Sequence, residues 1–409
     1  MKQNVIVLAL ITASLLARPA LAQTEWLEKL DDSLFLQSSN GWFRADVSGL
    51  LDLEGYYIDQ HPPGLVFSED AFFFNPRLSL FLDARIGPHL YAFAQGRYDR
   101  GFDPGAMPNG DARADEYLLR YIPFDDARLN LQIGKFATVV GNWVPRHDSW
   151  KNPFINAPLP YENVVGITDH VVPANPKAFL ARRNKPDQPA NWVPVIWGPS
   201  YASGASVFGL VEKFEYGFEI KNVALSSRPY AWDAWTHDWD YPVFSGRMGY
   251  RPNAAWNVGA SFSHGAYLLP PEESILAGSY KGDFKQSTVG QDISYSRGHW
   301  QIWAEGFVSR FEVPNVGNAD TVTYYLETKY EITPQLFGAL RWNQQFFGDV
   351  PNGGGGHEQW DRDMWRIETA VGYRFDRHVQ AKLQYGYSHQ QGFLQQGEQL
   401  VAAQLTIKF

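Results

Sequence analysis

The residues best equipped for chemistry in this chain lie close together. His147-Asp148-Ser149 holds the three side-chain types of a nucleophilic triad. Three adjacent positions cannot orient as nucleophile, base and orienter without help from elsewhere, so the run reads as a solvated loop. His147, Asp148, Asp169 and His170 are ligand types for a divalent cation but lack ligand spacing. Residues 353–356, four glycines, lack the Lys-Ser/Thr of a phosphate-binding loop. With no cysteine, disulfides, thiolate zinc and iron–sulfur sites are excluded. The reading assigns no catalytic residue, no metal and no cofactor, and expects a protein that is not an enzyme.

What remains is charge and aromatic surface. Residues 137–200 carry Arg146, Lys151, Lys177, Arg182, Arg183 and Lys185 against Asp148, Glu162, Asp169 and Asp187. They also hold Trp143, Trp150, Trp192 and Trp197 among ten prolines. Such a stretch is too long for an ordinary connection and too rich in tryptophan for a disordered one, so it is expected to pack on a neighbouring surface.

The elements that must carry it follow from composition and pattern. The 409 residues include 44 acidic and 35 basic side chains, a net charge of −9 that argues against a nucleic-acid partner. Residues 1–22 have the form of a cleaved signal peptide: Lys2, an apolar core over 5–16, and Ala20-Leu21-Ala22. Nothing later is long and apolar enough for a transmembrane helix. Period-two alternation recurs instead. Val401, Ala403, Leu405, Ile407 and Phe409 share one face, and Gln404, Thr406 and Lys408 the other. The chain reads as all-β, a transmembrane antiparallel barrel of about sixteen strands over residues 42–409. Strands begin near Trp42, Leu78, Leu90, Arg113, Leu129, Tyr201, Phe214, Val243, Trp256, Lys285, Trp300, Val322, Gln335, Asp363, Val379 and Gln399. Seven short periplasmic turns are expected to alternate strictly with eight long outer loops, the longest being the third, 137–200. Residues 23–41 are expected to form an N-terminal periplasmic segment with a short amphipathic helix.

A charge facing lipid at mid-bilayer costs about 2–4 kcal/mol, so strand charges are expected in the lumen. Arg77, Arg97, Glu116, Arg120, Lys135, Arg341 and Arg366, with Arg146, Asp148, Arg182 and Arg183 of the long loop, are the expected pore-lining or constriction residues. Rings of arginine favour anions, while nearby carboxylates oppose that preference. Trp143, Trp150, Trp192, Trp197, Trp232 and Trp235 are candidates for stacking on sugar rings, or for packing the loops. Tyr56, Tyr57, Tyr121, Trp256, Trp300, Tyr330 and Phe375 are expected in interfacial girdles.

Taken together, the leader, the alternating strands, the long third loop and the terminal Phe409 resemble the outer-membrane porins of Gram-negative bacteria. LNLQIGKFATVVG (129–141) is similar to the strand and glycine turn before the constriction loop of phosphate-selective and related porins. The resemblance implies an outer-membrane channel for passive diffusion of small hydrophilic solutes, with sugars or anions as candidates for preference. It implies a third loop folded into the lumen, Phe409 as a signal read by the barrel-assembly machinery, contact with outer-membrane lipids, and a homotrimer. Polysaccharide binding or export, and an outer-membrane hydrolase, are the alternatives.

Overall fold

The computed structural model describes residues 25–59, 64–68, 70–100, 109–184, 191–235, 239–269, 279–392 and 397–409. The expected leader lies outside them. Among the described residues, sixteen strands form one closed antiparallel barrel. They are β1 Phe43–Ile58, β2 Phe72–Ile86, β3 Leu90–Asp99, β4 Asp111–Tyr121, β5 Asn130–Lys135, β6 Ser203–Val211, β7 Phe214–Lys221 and β8 Val243–Asn253. The circuit continues with β9 Trp256–Ala266, β10 Lys285–Arg297, β11 Trp300–Val313, β12 Gly317–Glu331, β13 Leu336–Phe347, β14 Met364–Arg374, β15 Val379–Gln390 and β16 Gly397–Lys408. Each pairs with its neighbour in sequence, and β16 closes on β1 with Leu50 opposite Lys408.

Alternation sorts the two faces as the pattern requires. Leu80, Leu82, Val289, Val308, Leu326, Leu340, Val371, Leu383 and Val401 point outward and are exposed, while Asp52, Glu54, Glu305, Glu327, Arg341, Glu368, Lys382 and Thr406 point inward and are buried. A belt of exposed aliphatic side chains around a closed wall is stable against hydrocarbon, not water. Aromatic pairs ring the tight-turn end: Trp256 with Tyr295 and Trp300 with Tyr330, both at 4.6 Å. Tyr56 departs from the expected girdle. It faces inward and stacks on Phe73 at 4.5 Å, because it shares the face of Asp52 and Glu54.

Seven connections, of two to eight residues, lie at one end of the barrel. The expected strict alternation with long loops fails twice at the other end, where residues 391–396 join β15 to β16 and residues 314–316 join β11 to β12. These strands run to 14 and 15 residues and overshoot their neighbours. They carry an outward Arg310–Asp320 ion pair at 2.7 Å near their tip, which a position above the apolar belt tolerates.

The N-terminal segment forms helix α1, Glu25–Asp31, and a short strand Phe35–Gln37 that pairs with residues 44–46 of β1. Phe409 exchanges both backbone hydrogen bonds with Gly49, at 2.7 and 3.0 Å, and its ring lies where a Gly49 side chain would be. Gly49→Val is therefore expected to unseat Phe409 and lower the yield of folded barrel, read from the heat-modifiable band in gel electrophoresis. A folded fraction equal to wild type would show that the seam closes without this contact.

Candidate functional site

The connection from Phe136 to Ala202 turns into the barrel and bonds to the inner wall strand by strand. Thr138 Oγ1 donates to Glu219 at 2.6 Å, Gly141 N to Ser261 Oγ at 3.1 Å, and Trp143 N to Glu305 at 2.6 Å. Gly141 has φ +78 and packs against the Tyr161 hydroxyl and Glu305, so no side chain fits there. Further on, Ile155 N bonds Gln384 at 2.6 Å and Leu159 N bonds Asn343 at 3.1 Å. Asn163 Nδ2 then reaches Gln345 at 2.7 Å. The connection crosses from β7 to β15 and climbs back along β13.

Three inward cations hold its backbone. Lys382 Nζ donates to the carbonyls of Ser149, Asn152 and Phe154 at 2.8, 3.0 and 3.1 Å. Arg341 reaches the carbonyls of Asn156 and Ala157, both at 3.2 Å, and Arg366 bonds the Ala157 carbonyl at 2.7 Å. Glu368 lies behind both arginines, 2.6 Å from Arg341 and 3.2 Å from Arg366. An ammonium with all three donors on loop carbonyls fixes the loop at that point.

Space is left on the opposite side. A cavity of about 510 Å³ lies between β1–β4 and the loop, lined by Asp52, Arg77, Asp83, Arg97, Glu116, His147, Asp148, Trp150 and Lys408. A second of about 140 Å³ lies toward the long-loop end, lined by Glu54, Asp99, Arg113, Trp143 and Glu162. Arg77, Arg97, His147 and Ser149 line both and mark the neck between them.

Each arginine that lines the two cavities has a carboxylate behind it. Arg77 contacts Asp52 at 3.1 Å and Glu54 at 2.6 Å, Arg97 contacts Asp115 at 2.7 Å, and Arg113 contacts Asp99 at 2.6 Å and Asp115 at 3.0 Å. The Arg77 side chain is 21% exposed and its Asp52 partner 2%, so the cation is the more open of the two. A β-bulge makes this possible on β4. The ladder slips between Gln95 and Gly96, so Asp115 and Glu116, adjacent in sequence, both reach the inner side.

His147 closes the neck from the loop. Its Nδ1 lies 2.5 Å from the Val144 carbonyl and its Nε2 2.6 Å from the Tyr201 hydroxyl. Burial, aided by the nearby Arg97 charge, lowers its pKa to about 4, so it is neutral at pH 7. Protonation near that pH adds a positive charge where the two cavities meet. Asp148 and Asp115 are the carboxylates that favour it, and Arg97 the cation that opposes it. Between pH 6 and 3.5 the reversal potential in a salt gradient is expected to move toward anions more in the wild type than in His147→Gln. Identical pH profiles would remove His147 from the permeation path.

Other candidate residues fall elsewhere. Lys135 is not in the lumen: it pairs across from Tyr117 on the outward register, where its Nζ bonds Asp233 at 2.9 Å. Gly134, at φ +138, ends the regular strand just before it. Arg120 faces inward near the tight-turn end, where it bonds Gln132 and covers the Tyr91 ring. Arg146 points to the far wall, bonding Glu327 and, at 3.0 Å, Tyr325. Arg341 and Arg366 face inward but lie under the loop rather than in open space. Arg182 bonds the Val171 carbonyl, and Arg183 pairs with Glu358 at 2.7 Å in the mouth loops. Beside them Asp361 takes the Gly166 N–H at 2.7 Å, and burial pushes its carboxyl up to about 6.

The tryptophans form no row. Trp192, Trp197 and Trp232 are buried in loop packing, and Trp143 is buried against Tyr161. Trp235 is 78% exposed and stacks on the outward Tyr117. Trp150 presents itself to the larger cavity. The triad types do not converge either, since both His147 ring nitrogens are engaged by Val144 and Tyr201. Among the described residues no group of three metal-ligating side chains forms. Reading by strand pattern missed Lys382, Asp52, Glu54, Asp115 and Tyr201. Inward parity marked the first three, but nothing in it separates residues under the loop from those beside the cavity.

No sequence-family model and no curated protein matches the chain. Solved structures do. Salmonella typhi OmpF in complex with daunomycin aligns at TM-score 0.57 and 13% identity, over 91% of this chain and 100% of that one. The outer-membrane channel DcaP of Acinetobacter baumannii gives 0.56 and 11%, over 91% and 99%. An anion-selective porin from Comamonas acidovorans gives 0.55 and 10%, over 90% and 100%. The fold is that of the outer-membrane porins. At these identities the likeness concerns the porin fold alone. The path of the loop, the neck and the carbonyl-holding cations are properties of this chain's own residues.

Proposed function

We propose that this porin-fold barrel is an outer-membrane channel for passive diffusion of small hydrophilic solutes, with its tight-turn end in the periplasm. The observation that carries this reading is the pair of charged cavities beside a loop bonded to the opposite wall. Their neck opposes Arg77 and Arg97 to a neutral His147. A polar path lined by fixed charges of both signs sorts solutes by size and local field without chemistry. Because each wall arginine is matched by a carboxylate, the neck is read as close to charge-balanced, and strong anion preference is not proposed. The buried tryptophans likewise give no support to a sugar slide.

The leader, assembly through Phe409, lipid contact and a homotrimer belong to the same proposal. Stepwise ohmic currents are expected when the purified protein is added to planar bilayers. Their absence from protein shown to be folded would overturn the channel reading and favour polysaccharide binding or export; hydrolysis, which lacks a converged nucleophile and base here, would be the last alternative.

A further inference from the structure

Positive charge in the channel comes in two kinds. At the neck every arginine has a carboxylate partner. At the tight-turn mouth Lys408 and Arg374 have none within ion-pair distance among the described residues. Both lie instead over the ring of Trp150, the Lys408 Nζ 5.7 Å and the Arg374 Cζ 5.2 Å from its centre. A cation on an indole face gains only about 0.5–1 kcal/mol at a wet site, far less than a matched carboxylate would give. Arg374 Nε is moreover buried with no acceptor. A buried guanidinium N–H without an acceptor is an expensive arrangement.

We propose that this corner is a subsite for the carboxylate of a small planar organic acid, a substrate class for the channel reading on which it rests. Arg374 offers a planar fork to a carboxylate, and Lys408 lines the larger cavity and offers a point charge. Trp150, half-buried and facing the same cavity, offers an apolar flank for the body of the acid. The cavity also fixes the charge of the guest. Asp148, paired with Lys151 at 2.8 Å, and Asp83, bonded by the Tyr91 hydroxyl, line the same space. With Asp52 and Glu116 also on its wall, the cavity repels a phosphate dianion more than a single carboxylate. Position adds a direction: the corner lies beyond the neck from the long-loop end, so it receives solutes that have passed Arg77 and Arg97.

Benzoate is the probe, with benzyl alcohol as its uncharged counterpart. Saturation-transfer NMR on the folded protein in detergent reads binding without needing current, and single-channel recording reads block. Benzoate is expected to bind and to interrupt the current at lower concentration from the tight-turn side. Lys408→Gln and Arg374→Gln should each weaken it roughly tenfold, as for loss of a hydrogen bond to a charged group. Lys408→Arg should restore most of the binding. Equal binding of benzyl alcohol, or benzoate binding unchanged in both glutamine variants, would overturn the subsite. Ohmic current without any benzoate response removes the subsite and leaves the channel. Lys408-dependent benzoate binding in a protein that carries no current keeps the subsite and removes the channel.

Discussion

Replacing Lys382 by methionine is expected to raise the single-channel conductance and to add current noise. The side chain is buried on the inner face of β15, and its three N–H bonds end on the Ser149, Asn152 and Phe154 carbonyls. Methionine keeps the volume and removes every donor. Leaving buried carbonyls without partners costs about 1–3 kcal/mol each unless water replaces the ammonium. Water is close by, because Ser149 lines both cavities. The loop therefore has a way to recover its hydrogen bonds by moving off the wall and letting water in. Since Pro145 and residues 147–151 form one side of the larger cavity, that movement alters the cross-section available to ions. Arg341 and Arg366 still hold residues 156–157, so the loosened stretch is short and the barrel itself is expected to remain folded. Recordings in potassium chloride, together with the heat-modifiable band as a check on folding, decide the matter. A folded variant with the conductance and noise of the wild type would show that Lys382 does not position the loop.

The second large effect is expected from Arg77→Gln, which should turn the channel toward cations. Arg77 is the ion-pair partner of both Asp52 and Glu54, whose remaining contacts are neutral donors: Thr406 on Asp52, and Tyr56, Asn75 and Gln404 on Glu54. Removing the guanidinium exposes negative charge at the neck, where a permeating ion comes closest to the wall. One uncompensated charge about 4 Å from a monovalent ion in water-like surroundings is worth about 1 kcal/mol, roughly fivefold for each ion and in opposite senses for cation and anion, so the permeability ratio moves by roughly 25-fold. The reversal potential in a salt gradient measures it directly. Arg77→Lys keeps the charge and should stay near wild type, which separates electrostatics from damage to the wall. No shift in Arg77→Gln would place the ion path away from β1 and β2.

Much of this architecture is legible in the residues because a barrel wall is a local code. Successive side chains on a strand must face opposite sides, and an outward charge is penalised by lipid, so Leu400 to Phe409 or Trp365 to Phe375 declare both their strand and its faces. Fourteen of the sixteen strand starts read from that alternation fall within two residues of those observed, while β2 begins six residues before Leu78 and β12 five before Val322. Two readings departed from the alternation. Lys135 was placed in the lumen with the other strand charges, although alternation along β5 puts it on the outward side with Leu131 and Ile133. Asp115 was hidden because a bulge lets two neighbouring acids reach one face, which alternation forbids.

By itself, then, the sequence determined that the chain alternates through sixteen wall strands with a polar interior, and that one connection near the third loop position is too long and too aromatic to remain in solvent. Both are consequences of short-range rules, periodicity and composition. Only the tertiary structure decided which inward charges meet the cavity and which hold the loop. Arg77 and Arg341 are indistinguishable by type and parity, yet one faces open space and the other grips the Asn156 and Ala157 carbonyls from a position with no exposure. The difference is set by contacts such as Asn156 with Arg341, 185 positions apart, whose pairing depends on barrel closure and loop path together. No local pattern encodes the energy of such a contact, because it exists only when distant strands have already been brought around the same lumen.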